Sequence, residues 1–151
     1  FYAQKKAKSI GVSNFCVSCL DCLAKNASAT VPAVNQIEYH IGMGADPEGL
    51  VSTCAARGIV AQAYSPLGDS TPELISGDLV TSIGAAHNKS GVQVALRWIY
   101  QHGVAVTTKS TNAAHLAQDL GIFDWSLSDA EQARADAAAK PKGTPSFMCS
   151  K

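Results

Sequence analysis

The feature that most restricts this chain is an alternation: short apolar runs, each followed by a turn and an amphipathic segment, continue along it without a low-complexity break. Such alternation is the sequence form of βα units built around a parallel sheet. Candidate strands are Ser9 to Val12, Ala33 to Tyr39, Ile59 to Tyr64 and Val104 to Lys109. Apolar residues fall on both pleat faces of these runs, as expected where helices cover one side and the other packs inward.

Helix signals fill the gaps. Pro47 to Arg57 puts Leu50, Val51, Cys54 and Ala55 on one stripe, with Gly58 as a left-handed stop. Ser90 and Gln93 read as a capping box opening a helix to His102, whose face is Val92, Ala95, Leu96 and Ile99 and whose end is Gly103. Asn112 to Leu120 is a third helix, closed by Gly121, and Asp78 to Asn88 is an extra one before the last strand. Ser128 and Glu131 form a second capping box, opening an Ala-rich helix to about Lys140 that Pro141 and Gly143 terminate. Residues 1–140 thus read as one folded unit, and 141–151 as a loose tail. A closed (β/α)8 barrel needs eight strands and typically ~250 residues. On pattern alone, the chain is either a small open α/β domain or about half a barrel.

Composition excludes several function classes. Twelve basic and twelve acidic residues cancel in a chain that is 46% hydrophobic and 16% charged, and they are scattered. No face is therefore compelled to attract nucleic acid or anionic lipid. No apolar run approaches the ~18 residues of a membrane span, and no signal peptide is visible. Five cysteines, an odd number in a helix-rich pattern, argue for free thiols and the cytoplasm or another reducing compartment. Cys16, Cys19 and Cys22 make a C-x-x-C-x-x-C run, but no fourth zinc or iron–sulfur ligand accompanies it. Their spacing places them beside the stripe of Val17, Leu20, Leu23 and Ala24, so helix-face hydrophobes are the simpler account.

Four short motifs carry a specific resemblance. Ile10-Gly11-Val12-Ser13-Asn14-Phe15, Asn35-Gln36-Ile37-Glu38-Tyr39-His40, Ala63-Tyr64-Ser65-Pro66-Leu67-Gly68, and Ala95-Leu96-Arg97-Trp98 with Lys109-Ser110 occur in that order. They resemble the motifs of strands five, six, seven and eight of the aldo-keto reductase family, at the family's spacing. The resemblance implies an α/β fold of the (β/α)8 TIM-barrel type, of which this chain is the C-terminal half: about four βα units plus a C-terminal helix.

It also implies a nicotinamide dinucleotide as partner, NADP in preference to NAD, held at the C-terminal mouths of the strands where barrel ligands bind. Ser13, Asn14 and Gln36 would then hydrogen-bond the nicotinamide carboxamide, and Tyr64 would stack on its ring. Without the resemblance, Asn14 is equally a helix cap, Gln36 a partner for a buried backbone group, and Tyr64 a core tyrosine. Pro66, Leu67 and Gly68 would form the turn beneath the pyrophosphate, with Ser65 and Leu67 among the cofactor contacts, and the departure Asp69 would repel phosphate. Lys109 and Ser110 match positions that meet the 2′-phosphate of NADP, and Ser110 and Thr111 can add hydroxyl and backbone donors at the start of the next helix. His115 stands where the family has arginine, and Gln118-Asp119 where it has Glu-Asn. Thr108 replaces the proline that usually precedes the lysine.

The family's Asp, Tyr, Lys and His tetrad lies before the strand-five motif, and none of the four can be placed in residues 1–8. The activity implied is reduction of an aldehyde or ketone by hydride transfer, with this chain supplying cofactor contacts, no catalytic residue and no turnover by itself. The other reading is a non-catalytic nucleotide-binding or structural subunit. Half a barrel would also leave two edge strands and an apolar inner face, to be covered by an N-terminal half, a second copy or a larger assembly.

Overall fold

The structure is a computed structural model that describes residues 1–26 and 28–142. Four parallel strands, β1 (Gly11–Ser13), β2 (Val34–Glu38), β3 (Val60–Tyr64) and β4 (Ala105–Val106), lie side by side in chain order. Each pair is linked by a helical crossover: α1 (Val17–Ala24), then α2 (Leu50–Ala56), then α3 (Pro72–Ser76), α4 (Asp78–His87) and α5 (Gly91–Gln101). Helices α6 (Ala113–Leu120) and α7 (Asp129–Asp136) follow β4.

Register decides which side chains share a face. Val12, Asn35 and Ala61 align, as do Ile37, Ala63 and Val106, and this set faces the helices. Asn35, Ile37, Ala61 and Ala63 are buried there with Leu20, Leu50, Cys54, Val94, Ala95 and Ile99. The opposite face carries Ser13, Gln36 and Gln62 in one row and Gly11, Val34 and Val60 in another. It is therefore not the uniformly apolar surface expected of it. Polar side chains occupy the C-terminal rows, and Val60, half exposed, marks the apolar N-terminal row.

Both outer strands are shorter than the apolar runs suggested, because an edge strand has ladder partners on one side only. For β4, Thr107 still donates its N–H to Ala63 O at 3.0 Å, after which Thr108 and Lys109 leave the sheet. Helix α2 begins at Leu50 instead of Pro47. Glu48 and Gly49 adopt positive φ, closing a 3₁₀ turn, and Asp46 Oδ1 accepts the N–H groups of Val51 and Ser52. Ala55, placed on its apolar stripe, is exposed. The short α3 was not read from sequence, although Pro72 opens it and Leu74 is buried. Gly91 is required where α5 meets α3, since a Cβ there would collide with the Ile75 carbonyl.

An aromatic knot fixes the last helix. Trp98 of α5 stacks on Tyr39 at 4.9 Å and donates its indole N–H to Asp136 Oδ1 of α7 at 2.7 Å. His102 Nε2 lies 2.8 Å from the same carboxylate. Burial, with Asp136 and Asp46 nearby, pushes the Tyr39 phenol well above its ordinary range, so it stays protonated and donates to Ala45 O. Helix α7 stops at Asp136, short of Lys140, and Lys140 and Pro141 run against Gly42, whose φ is +99°. A side chain at Gly42 would have no room. The remainder of the expected tail, 143–151, lies outside the described residues.

Cysteines depart from the simplest account in two ways. Cys22 is exposed, away from the buried stripe of α1. Cys16 is half of a disulfide, whereas Cys22 and Cys54 are free thiols, so the expectation of free thiols does not hold throughout.

Candidate functional site

Chain crossing between parallel strands forces all strand C-termini to one end, and there the candidate residues gather. Two clusters result. The first lies across the ends of β1, β2 and β3. Ser13 Oγ donates to Gln36 O at 3.0 Å, Gln36 Nε2 to Gln62 Oε1 at 2.8 Å, and Tyr64 Oη to Asn14 Oδ1 at 3.1 Å. Asn14 has φ 56° and its N–H reaches Gln36 O, so the turn after β1 is pinned over β2.

Two residues behind this cluster were not picked out as site residues from sequence. Asn35, fully buried, donates Nδ2 to Phe15 O at 2.7 Å and accepts Phe15 N–H through Oδ1 at 3.3 Å. It clamps the backbone that carries Asn14. Gln62 holds the Gln36 amide in place, and its only sequence signal is the period-two spacing Val60, Gln62, Tyr64, which puts it on the face of Tyr64.

These bonds leave defined capacity. Among the described residues, Asn14 Nδ2 has no acceptor and Gln36 Oε1 has no donor, so the cluster keeps one side-chain N–H donor and one side-chain carbonyl acceptor.

The second cluster lines a cavity of about 750 Å³ between the β3–α3 loop, the β4–α6 loop, α6 and the start of α5. Ser65, Leu67, Lys109, Ser110, His115, Gln118 and Asp119 all contribute to it, with Pro66, Asp69, Thr107, Thr108 and Val92. Thr111 is exposed in the adjoining turn and is not part of this lining. The β3–α3 loop is shaped by consecutive positive-φ residues, Gly68, Asp69 and Ser70, with Ser65 also at φ 46°. Asp69 Oδ1 accepts the Ser65 hydroxyl at 2.5 Å, which takes that proton away from any ligand.

Lys109 is exposed and forms no ion pair among the described residues. Its charge is therefore open to an anion. Asp69 and Asp119 set two carboxylates against it on the same lining. Asn112 Oδ1 accepts Ala114 N–H at 2.9 Å and Ser110 Oγ accepts Asn112 N–H at 3.0 Å, so the turn after Lys109 is held by its own side chains. The free donor and acceptor of the first cluster are of the kind that pairs with an amide, and the Lys109 ammonium on the cavity lining is of the kind that meets an anion.

No helix among the described residues is long and apolar enough to cross a membrane, and no group of three or more His, Cys, Asp or Glu is arranged to hold a metal. The chain is similar to several known proteins. Morphine 6-dehydrogenase of Pseudomonas putida is 39% identical over 142 residues, covering 87% of this chain and 47% of that protein. Glyoxal reductase of Bacillus subtilis is 38% identical, over 92% of this chain and 49% of its own length. An aldo-keto reductase enzyme from a Medee basin deep-sea metagenome library superposes with a TM-score of 0.82 at 31% identity, over 91% of this chain and 50% of that one. An aldo-keto reductase complexed with NADPH superposes at 0.78 with 29% identity, over 89% and 43%. The chain spans about half the length of the relatives it matches. Its four parallel strands are a partial (β/α)8 barrel. Residues 3–140 match the profile of the Aldo/keto reductase family, and the chain belongs to that family.

Proposed function

We propose that this chain forms the cofactor mouth of an NADP(H)-dependent reductase of aldehydes and ketones. The observation that carries the reading is the paired free donor and acceptor, Asn14 Nδ2 and Gln36 Oε1, beside the Tyr64 ring. A primary carboxamide presents the complementary acceptor and donor, so the pair orients one ring face, and Tyr64 supplies a flat wall that limits tilt. When bound, the nicotinamide supplies the hydride; the protein positions it. Ser13 supports this arrangement through the Gln36 carbonyl.

The cavity takes the rest of the dinucleotide: Ser65 and Leu67 along the pyrophosphate, Lys109 and Ser110, with Thr111 of the adjoining turn, toward a 2′-phosphate, and His115, Gln118 and Asp119 around the adenosine. The NADPH complex of a structural neighbour supports this class of cofactor. Lys109 favours phosphate, whereas histidine in place of arginine at 115 supplies only partial charge near neutral pH. Proton delivery to the carbonyl oxygen has no candidate group in this chain, so turnover requires the remaining half of the barrel, on the same or another chain.

The test is titration of NADPH and NADH into the chain completed by its N-terminal half. Lys109→Met removes the charge at similar bulk. It weakens NADPH by ~1–3 kcal/mol, the range of a charge-assisted hydrogen bond, and leaves NADH nearly unchanged. Equal loss for both nucleotides would make Lys109 structural, and binding of neither by a folded sample would leave a scaffold.

A further inference from the structure

A buried ionisable pair stands at the C-terminal end of β2 and takes no part in the contacts to the cofactor. Glu38 is 2% exposed and His40 is 0% exposed. Taking such groups out of water is costly unless they are paired or put to use. His40 Nδ1 lies 2.7 Å from Ile41 O, and since a carbonyl only accepts, that nitrogen carries a proton. Its other ring nitrogen, Nε2, lies 3.3 Å from Glu38 Oε1, and His40 is the only hydrogen-bond partner of that carboxyl group among the described residues. A neutral ring protonated at Nδ1 would set a lone pair against an ionised carboxylate, so the contact holds one further proton, on Nε2 as an imidazolium or on Glu38 as the acid. In either form the pair is neutral overall.

Its position gives that proton a consequence. Tyr39 turns to the helices, where it stacks on Trp98, so Glu38 before it lies on the opposite pleat face with Gln36. Gln36 is two residues back, roughly 7 Å along the strand, and Glu38 is the register partner of Tyr64. These two residues orient and wall the proposed nicotinamide ring. The other ionisable groups around this end of β2 are bonded elsewhere: Tyr64 to Asn14, Asp46 of the following loop to the N–H groups of Val51 and Ser52, and Asp136 to Trp98 and His102 on the helix side.

We infer that the Glu38–His40 pair responds to the charge of the nicotinamide ring, giving up its shared proton to solvent when the ring is oxidised and keeping it when the ring is reduced; this rests on the cofactor reading above. The oxidised ring is a cation, the reduced ring is neutral. A cation attracts the pair once it has lost that proton and carries a net negative charge, and it gains little from the neutral pair. At a separation on the order of 10 Å inside a protein, the effect on the proton equilibrium is roughly tenfold. Binding of oxidised nucleotide therefore expels part of a proton, and binding of reduced nucleotide does not. By linkage, the affinity for NADP⁺ relative to NADPH rises with pH.

The experiment is calorimetry of NADP⁺ and of NADPH with the chain completed by its N-terminal half, in phosphate, HEPES and Tris buffers between about pH 6 and pH 9, the buffer dependence of the heat giving the protons released. Both nucleotides carry the 2′-phosphate, so its titration cancels in the difference. Wild type is expected to release at least about 0.2 proton more with NADP⁺ than with NADPH at some pH in this range, and Glu38→Gln and His40→Asn to lose at least about half of that difference. Asparagine at position 40 keeps a donor toward Ile41 O and cannot titrate. In wild type, imidazole ¹⁵N spectra with His40 identified through Ile41 follow the same proton directly, so the readout does not depend on the folding of a variant: the His40 signals are expected to move on addition of NADP⁺ and not of NADPH. Equal proton release with both nucleotides in wild type, or a difference unchanged in both variants, would overturn the inference and leave the cofactor reading standing. Absence of binding heat for either nucleotide would remove that reading and the inference with it.

Discussion

Helices α5 and α6 are near neighbours in the chain, both begin with a side-chain N-cap, and they are packed in opposite ways. Helix α5 buries Gly91, Gln93, Val94, Ala95, Leu96, Trp98 and Ile99, whereas α6 has no buried residue. Leu116 and Leu120, its apolar positions, are 42% and 71% exposed. The difference follows from place. Helix α5 lies on the sheet face that the register fills with apolar side chains, while α6 stands beyond β4 with the cavity against it. Local signals make both helices, but only one has a surface to be buried on; the element beside the candidate cofactor cavity is the one held by caps and loop contacts.

That contrast gives predictions of decreasing size. Trp98→Ala removes the stacking on Tyr39 and the bond to Asp136 together, and is expected to cost ~3–5 kcal/mol in urea unfolding, enough to abolish a cooperative transition. A loss below ~1 kcal/mol would mean that α5 is no more deeply anchored than α6. Gln93→Leu keeps the bulk but breaks both the capping box and the donation from Nε2 to Gln118 O at 3.0 Å, which ties α5 to the end of α6. It leaves buried groups without partners, costing ~1–3 kcal/mol, and hydrogen exchange in α6 should rise more than in α5.

The cap of α7 sharpens the comparison through pH. The Ser128 backbone N–H holds the Glu131 carboxyl down to about 2 from 4.5, with the His87 ring and Ser128 hydroxyl adding to it. A folded-state pKa below the unfolded one means that the stabilisation is complete above pH 4.5 and disappears as pH falls toward 2. Ser128→Ala should lower stability by ~1 kcal/mol at neutral pH, and Glu131→Gln should flatten the acid limb of a thermal-melt profile. An unchanged acid limb in Glu131→Gln would assign acid sensitivity elsewhere. Smallest of all, Leu120→Ala on exposed α6 should shift the denaturation midpoint by less than ~0.5 kcal/mol; a larger loss would show that α6 is covered in solution.

Much of this architecture was readable beforehand because its signals are local. Ser90–Gln93 and Ser128–Glu131 both form the capping boxes their spacing implied, and the apolar runs around Asn35 and Ala61 are strands. Family-ordered motifs brought Ser13, Asn14, Gln36 and Tyr64 to one edge in advance. Their ends were less legible. Nothing in the string Val104 to Lys109 says that the strand has no neighbour on its far side, so its termination after Val106 belongs to the sheet.

By itself, then, the sequence determined the order of elements, their caps and turns, and the family, since these depend on residues a few positions apart. Tertiary structure decided which polar groups remain free. Asn14 and Gln36 carry the same amide chemistry as Gln62 and Asn35, yet Asn35 is locked onto Phe15 and Gln62 serves Gln36. It also decided that Cys16 and Cys19 touch while Cys22, at the same spacing, turns outward. Spacing along a helix specifies an angle around its axis; only the neighbouring strands and loops determine what stands at that angle, and hence whether a side chain is buried, bonded or left to meet a ligand.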